Sequence, residues 1–130
     1  MIEIPVSLGE LIDKITILFI KRKYINDFEK LRNVNQEYDL LITKWKSLKE
    51  YSEESLGHLV TSLANVNERI WFVEDAIRDH ERRQDFGEDF IKLARSVYTL
   101  NDERANIKRQ INLRLGSQIY EEKSYAKYKD

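Results

Sequence analysis

The chain has 130 residues, enough for one domain with a real core. Its 42% hydrophobic content supports folding, and its 35% charged content favours long helices with solvated faces. A net charge of −1 gives no bulk drive toward nucleic acid or an anionic membrane, and zero cysteines exclude a disulfide frame, a thiolate zinc site and a thiol nucleophile.

The first residues lack the basic start of a signal peptide. The longest purely apolar run, Ile17 to Ile20, is far short of a membrane span. The expectation is a cytoplasmic protein with no membrane partner. Ile2, Ile4 and Val6 alternate with Glu3 and Pro5, but no second strand pattern exists to pair with them, so residues 1–6 read as an extended arm.

The first helix begins at Ser7. The Ser7 hydroxyl can accept from a first-turn N–H, Glu10 completes a capping box, and Val6 and Leu11 sit at the staple positions. Pro5 keeps Ile4 extended. Leu8, Leu11, Ile15 and Leu18, flanked by Ile12 and Phe19, form one seam, and Asp13, Ile17, Ile20 and Tyr24 form a second stripe. A helix apolar on two sides is packed by neighbours on two sides, so it is the expected centre of the fold. Glu10, Asp13 and Lys21 then need partners if buried. The plainer reading pairs Glu10 with Lys14 and leaves Asp13 and Lys21 in water.

Asn26 or Asp27 can cap a second helix, whose seam is Leu31, Val34, Tyr38, Leu41, Trp45 and Leu48. Lys44, Lys46 and Lys49 compensate the dipole at its end. Ser52 is the expected cap of a third helix with the heptad series Leu56, Leu59, Leu63, Val66, Ile70, Val73 and Ile77. Asp85 and Glu88 repeat the cap spacing of Ser7 and Glu10 and open a fourth helix that runs to about Leu115, with Gly116 as its stop. The seam of that helix reads Phe90, Leu93, Val97, Leu100, Arg104, Ile107 and Ile111, with Arg104 as the single break. In the polar tail, 117–130, Ile119, Tyr120 and Tyr125 are positioned to fold back, while Lys127 to Asp130 should fray. The whole is expected to be one all-α domain, an antiparallel four-helix bundle with long heptad-patterned helices.

A short turn near residue 86 makes helices three and four a hairpin, and mirroring about it sets Asn101 near Trp71 and Arg104 near Glu68. Asn67, Glu68, Glu74, Asn101, Arg104 and Lys108 are therefore expected to share one polar layer, with Glu10 and Asp13 joining from the first helix. One reading is a buried ion-pair layer that fixes register. The other is a pocket for an anionic or polar ligand anchored by Arg104 and Lys108. Signs of catalysis are weak. His58 and His80 are isolated, and no H-E-x-x-H, GxSxG or phosphate-binding glycine loop is present. Glu10-x-x-Asp13 superficially resembles half the metal site of all-α nucleotide pyrophosphohydrolases, but the only E-x-x-E, Glu50 to Glu53, spans an expected turn. No metal, cofactor or catalytic residue is assigned.

Four stretches together, IPVSLGELIDKITIL, NVNERIWFVEDAIR, FIKLARSVYTLNDERANIKRQIN and GSQIYEEKSYAKY, resemble a family of small bacterial and phage proteins classed only as a domain of unknown function. The resemblance covers nearly the whole chain and implies an all-helical module with no assigned activity. The expected function is non-enzymatic binding or protein interaction, with self-association supported by the long seams. The alternative is an enzyme or sensor that reads a phosphorylated or nucleotide-type ligand in the polar layer. Nucleic acid is a weaker third class, resting on Lys21-Arg22-Lys23 and the lysines near Trp45.

Overall fold

Four helices make up the computed structural model, which describes residues 1–129: α1 Leu8–Tyr24, α2 Phe28–Ser47, α3 Leu59–Arg83 and α4 Glu88–Leu115. Residues 1–6 carry no secondary structure. Ser7 caps α1 as its sequence predicts, accepting from the Glu10 N–H at 3.0 Å. Asp27 caps α2 in the same way, through the Lys30 N–H at 2.9 Å. Gly116, at φ +67, stops α4 in the left-handed region that glycine enters without a Cβ penalty. Among the described residues there is no strand, and no helix is long and apolar enough to cross a membrane.

Two starts differ from expectation. α3 begins at Leu59 rather than after Ser52, because Gly57 at φ +55 breaks the chain and residues 49–58 form turns. Leu56, on the heptad by number, still packs in the core from this loop. α4 is capped by Gly87 and not by Asp85, whose side chain instead accepts from the Gly87 N–H at 3.3 Å. The tight α3–α4 turn is held by Gln84 at φ +56, by the Asp85 N–H donating to the His80 carbonyl at 3.0 Å, and by the buried His80 ring on the Asp85 carbonyl at 3.0 Å.

α1 packs against all three other helices, as its two apolar stripes require. Contacts between α1 and α4 run in opposite senses, from Leu8–Ser117 through Gly9–Asn112 to Asp13–Arg104. Those between α1 and α3 ascend together, from Asp13–Asn67 to Tyr24–Phe72. α2 lies along α1 alone, with no Cα within 8 Å of α3 or α4. The core gathers at the base, where α1 and α3 begin and α2 and α4 end. It contains Leu11, Ile12, Ile15, Trp45, Leu56, Leu59, Leu63 and Ile111. Each fully buried aliphatic there contributes about 1.5–3 kcal/mol. At about 1.5 Å per residue, α3 and α4 outreach α1 by several turns and project as a two-helix hairpin beyond Tyr24.

Candidate functional site

The polar layer is built on α1. The carboxylate of Asp13 is 0% exposed, so its charge must be met inside the protein. Arg104 of α4 meets it with two donors. Nε donates to Oδ1 at 2.9 Å, and a terminal nitrogen donates to Oδ2. This is the bidentate fork that a planar guanidinium makes on a carboxylate. Asn67 of α3 adds a third donor, its amide reaching Asp13 Oδ1 at 2.9 Å and Thr16 Oγ1 at 2.9 Å. The Thr16 hydroxyl donates to the Asp13 carbonyl at 2.8 Å. One acid on the central helix thus bonds to both α3 and α4. The Asp13 hydrogen bonds hold the Arg104 guanidinium above its ordinary pKa.

A second cluster lies one turn toward the α1 start. Lys108 of α4 donates to Glu10 Oε2 at 2.5 Å and lies 3.0 Å from Glu121 of the tail and 4.0 Å from Asp13. Burial works to lower the Lys108 pKa, but the hydrogen bonds to Glu10 and Glu121 and the charge of Asp13 outweigh it, and the net shift is upward. Glu121 moves the other way: burial pushes it up, yet Lys108 and Glu10 hold it below its ordinary range.

The first turn of α1 is satisfied by the end of α4 and the start of the tail. The Gly9 N–H donates to Asn112 Oδ1 at 2.6 Å and the Leu8 N–H to Ser117 Oγ at 3.3 Å. This crossing is close. A Cβ on Gly9 would sit 2.5 Å from the Lys108 carbonyl oxygen and 2.9 Å from Asn112 Oδ1.

Five of the seven predicted site residues, Glu10, Asp13, Asn67, Arg104 and Lys108, therefore meet in one layer. Two do not. Glu74 turns outward to pair with Arg78 on its own helix. Asn101 donates to the Val97 carbonyl one turn back, at 2.9 Å. Glu68 also lies elsewhere, bound to Lys23 at 3.1 Å. The hairpin register itself is as expected, since Arg69 and Glu103 lie 3.8 Å apart on it. The mirror construction gives which residues are level, but not which face turns toward α1. Glu10 pairs with Lys14 at 3.6 Å, as the plainer reading expects, but its carboxylate also serves Lys108 instead of closing a capping box.

Sequence reasoning missed Gly9, Thr16, Asn112, Ser117 and Glu121. A glycine in the first turn of a buried helix was a usable signal for a close crossing. Glu121-Glu122 set against Lys108-Arg109 was another, because the tail folds back along α4 and Glu122 lies 3.3 Å from Arg109. Further on, Tyr128 meets Tyr98 edge to face at 4.8 Å, a contact the expectation of a fraying end did not include, while Tyr125 is 79% exposed and does not fold in. Asp130 lies outside the described residues.

Every buried side-chain nitrogen and oxygen among the described residues has a partner within the molecule. No three His, Cys, Asp or Glu side chains among those residues converge as a metal site would require. Chemically the layer is a closed ion-pair network. The chain belongs to the family described as a family of unknown function (DUF6165), whose family model matches residues 2–128. No curated protein and no solved structure matches it.

Proposed function

We propose that this member of the family is a non-enzymatic interaction module, in which the buried layer sets helix register and an aromatic strip makes the contact. The observation that carries this reading is a contrast in satisfaction. The polar layer leaves no buried group without a partner, whereas Phe19 and Phe72 are 54% and 50% exposed. Phe19 lies four residues before Lys23, and Phe72 four residues after Glu68, so each phenylalanine shares a helix face with its charged neighbour. Lys23 and Glu68 bridge α1 and α3 at 3.1 Å. The strip therefore runs Phe19, Lys23, Glu68, Phe72, backed by Tyr24 at 5.1 Å from Phe72.

The proposed partner is a second copy. One cation and one anion between two aromatic ends form a self-complementary pattern, because a two-fold axis sets Lys23 against the other copy's Glu68 and Phe19 against its Phe72. A ligand in the layer has less support. It would have to displace Arg104 from Asp13 or Glu121 from Lys108, each already charge-matched. The test is light scattering across a wide concentration range. Wild type is expected to form dimers, and Phe19→Ser/Phe72→Ser to remain monomeric with unchanged helical circular dichroism. A wild type that stays monomeric throughout contradicts the proposal.

A further inference from the structure

The tail that closes the layer also builds a concave surface the layer does not use. Past Glu121 and Glu122 it runs along α4 until Tyr128 docks on Tyr98. Beside this tyrosine pair is an open groove of about 540 Å³ lined by Arg69 of α3, by Lys92, Arg95 and Tyr98 of α4, and by Tyr128 and Lys129 of the tail. Four cations line it, and no carboxylate does among the described residues. In a chain of net charge −1, that is a local reversal of sign.

Several cations elsewhere are paired with carboxylates: Lys23 with Glu68, Arg78 with Glu74, Arg82 and Arg83 with Asp79, Arg104 with Asp13. Lys92 and Arg95 have no carboxylate within 4.0 Å among the described residues. Arg69 has one at 3.8 Å, Glu103, with both side chains well exposed. Half-exposed Tyr98 and Tyr128, packed edge to face on each other, line the same groove. The Tyr128 hydroxyl is engaged by Asp102, which holds it in the protonated form above its ordinary pKa. Planar guanidinium forks and ammonium groups bind phosphate oxygens, and tyrosine rings stack on flat heterocycles. A volume of this size suits one small ligand rather than a duplex.

We propose that the groove between α4 and the tail binds a nucleotide, its phosphates held by Arg69, Lys92, Arg95 and Lys129 and its base against Tyr98 and Tyr128. The site is separate from the Phe19–Phe72 strip, so it stands or falls independently of self-association. The four cations of the groove are exposed, which predicts affinity that weakens as salt is raised. The tail supplies one cation and one ring, so binding also fastens the tail.

Calorimetric titration of the full chain with UDP, ADP, inorganic pyrophosphate and a single-stranded thymidine oligonucleotide tests this. UDP or ADP is expected to bind, more tightly than pyrophosphate. Arg95→Ala, at an exposed position, is expected to weaken nucleotide binding about tenfold or more. Tyr98→Ala is expected to weaken nucleotide binding more than pyrophosphate binding, since it removes a stacking ring as well as the contact that docks Lys129. Lys46→Ala, in the basic end of α2, is the control and leaves affinity unchanged. No heat with either nucleotide, binding unaffected by Arg95→Ala, or binding to the oligonucleotide alone would each overturn the proposal.

Discussion

At the base of the bundle, Asp13, Arg104 and Asn67 are packed among three helices. At the tip of the hairpin, Glu74, Arg78, Asp79, Arg82 and Arg83 make pairs of comparable length in open water. The geometry is similar and the consequence is not. Screened surface pairs contribute little, whereas an acid with no exposure depends on its partner to remain charged in the interior. The tip pairs join residues three or four apart on one helix, so they cannot fix how helices sit on each other. The base pairs join α1 to α3 and α4. Position, more than the presence of charge, separates a register device from a solvated face.

The sharpest way to break this contrast is to remove one base partner. Arg104→Ala strands the Asp13 carboxylate and is expected to destabilise by about 3–5 kcal/mol in chemical denaturation. A loss no larger than that of a surface substitution would erase the distinction between base and tip. Gly9→Ala probes the same end through backbone approach instead of charge. The added methyl cannot fit against the Lys108 carbonyl without parting α1 from α4, and the expected loss is about 1–3 kcal/mol. Retention of the wild-type midpoint would mean that the crossing is looser than its contacts indicate.

The tail latch is intermediate, half at the base and half in water. The Glu121 pKa is lowered from its ordinary 4.5, so its contribution is complete above that value and is lost as pH falls through the lowered one. The Lys108 pKa is raised from 10.5, so its contribution is complete below that value and is lost as pH rises through the raised one. Glu121→Gln is expected to lower stability by less than about 1 kcal/mol at neutral pH, because solvent screens the exposed half of the pair. The gap to wild type should close in acid below pH 4.5. A gap independent of pH would assign the effect to packing rather than charge. At the tip, Asp79→Asn removes the partner of both Arg82 and Arg83, and no measurable shift in melting temperature is expected.

Much of the fold was legible because it is written in local signals. Ser7 with Pro5 starts α1, Asp27 starts α2 and Gly116 ends α4, each through contacts within a few residues. The centrality of α1 was legible in its two stripes. The start of α3 was not, because Ser52 offered a sound cap while the decisive residue, Gly57, acts through backbone conformation. In the layer, Asp13 and Arg104 stood out as charges in apolar series. Their pairing could not be read, since two-helix mirroring is blind to a third helix. Glu74 and Asn101 were misplaced for the same reason: a flanking position faces either a neighbour or water, and only the rotation of the hairpin decides. The tail was the least legible part, because an extended segment has no periodicity and docks through scattered side chains such as Glu121 and Tyr128.

Replacing the whole pair with apolar groups distinguishes a buried layer that specifies helix register from one that is itself a binding site. Asp13→Leu/Arg104→Met removes both charges at once, so neither is left stranded. Denaturation and light scattering of this variant beside Arg104→Ala are the measurement. Stability restored to within about 1 kcal/mol of wild type, with self-association kept, is the predicted result. A variant that is equally stable and fully helical yet has lost its association would contradict it, because the layer would then carry function that folding does not require.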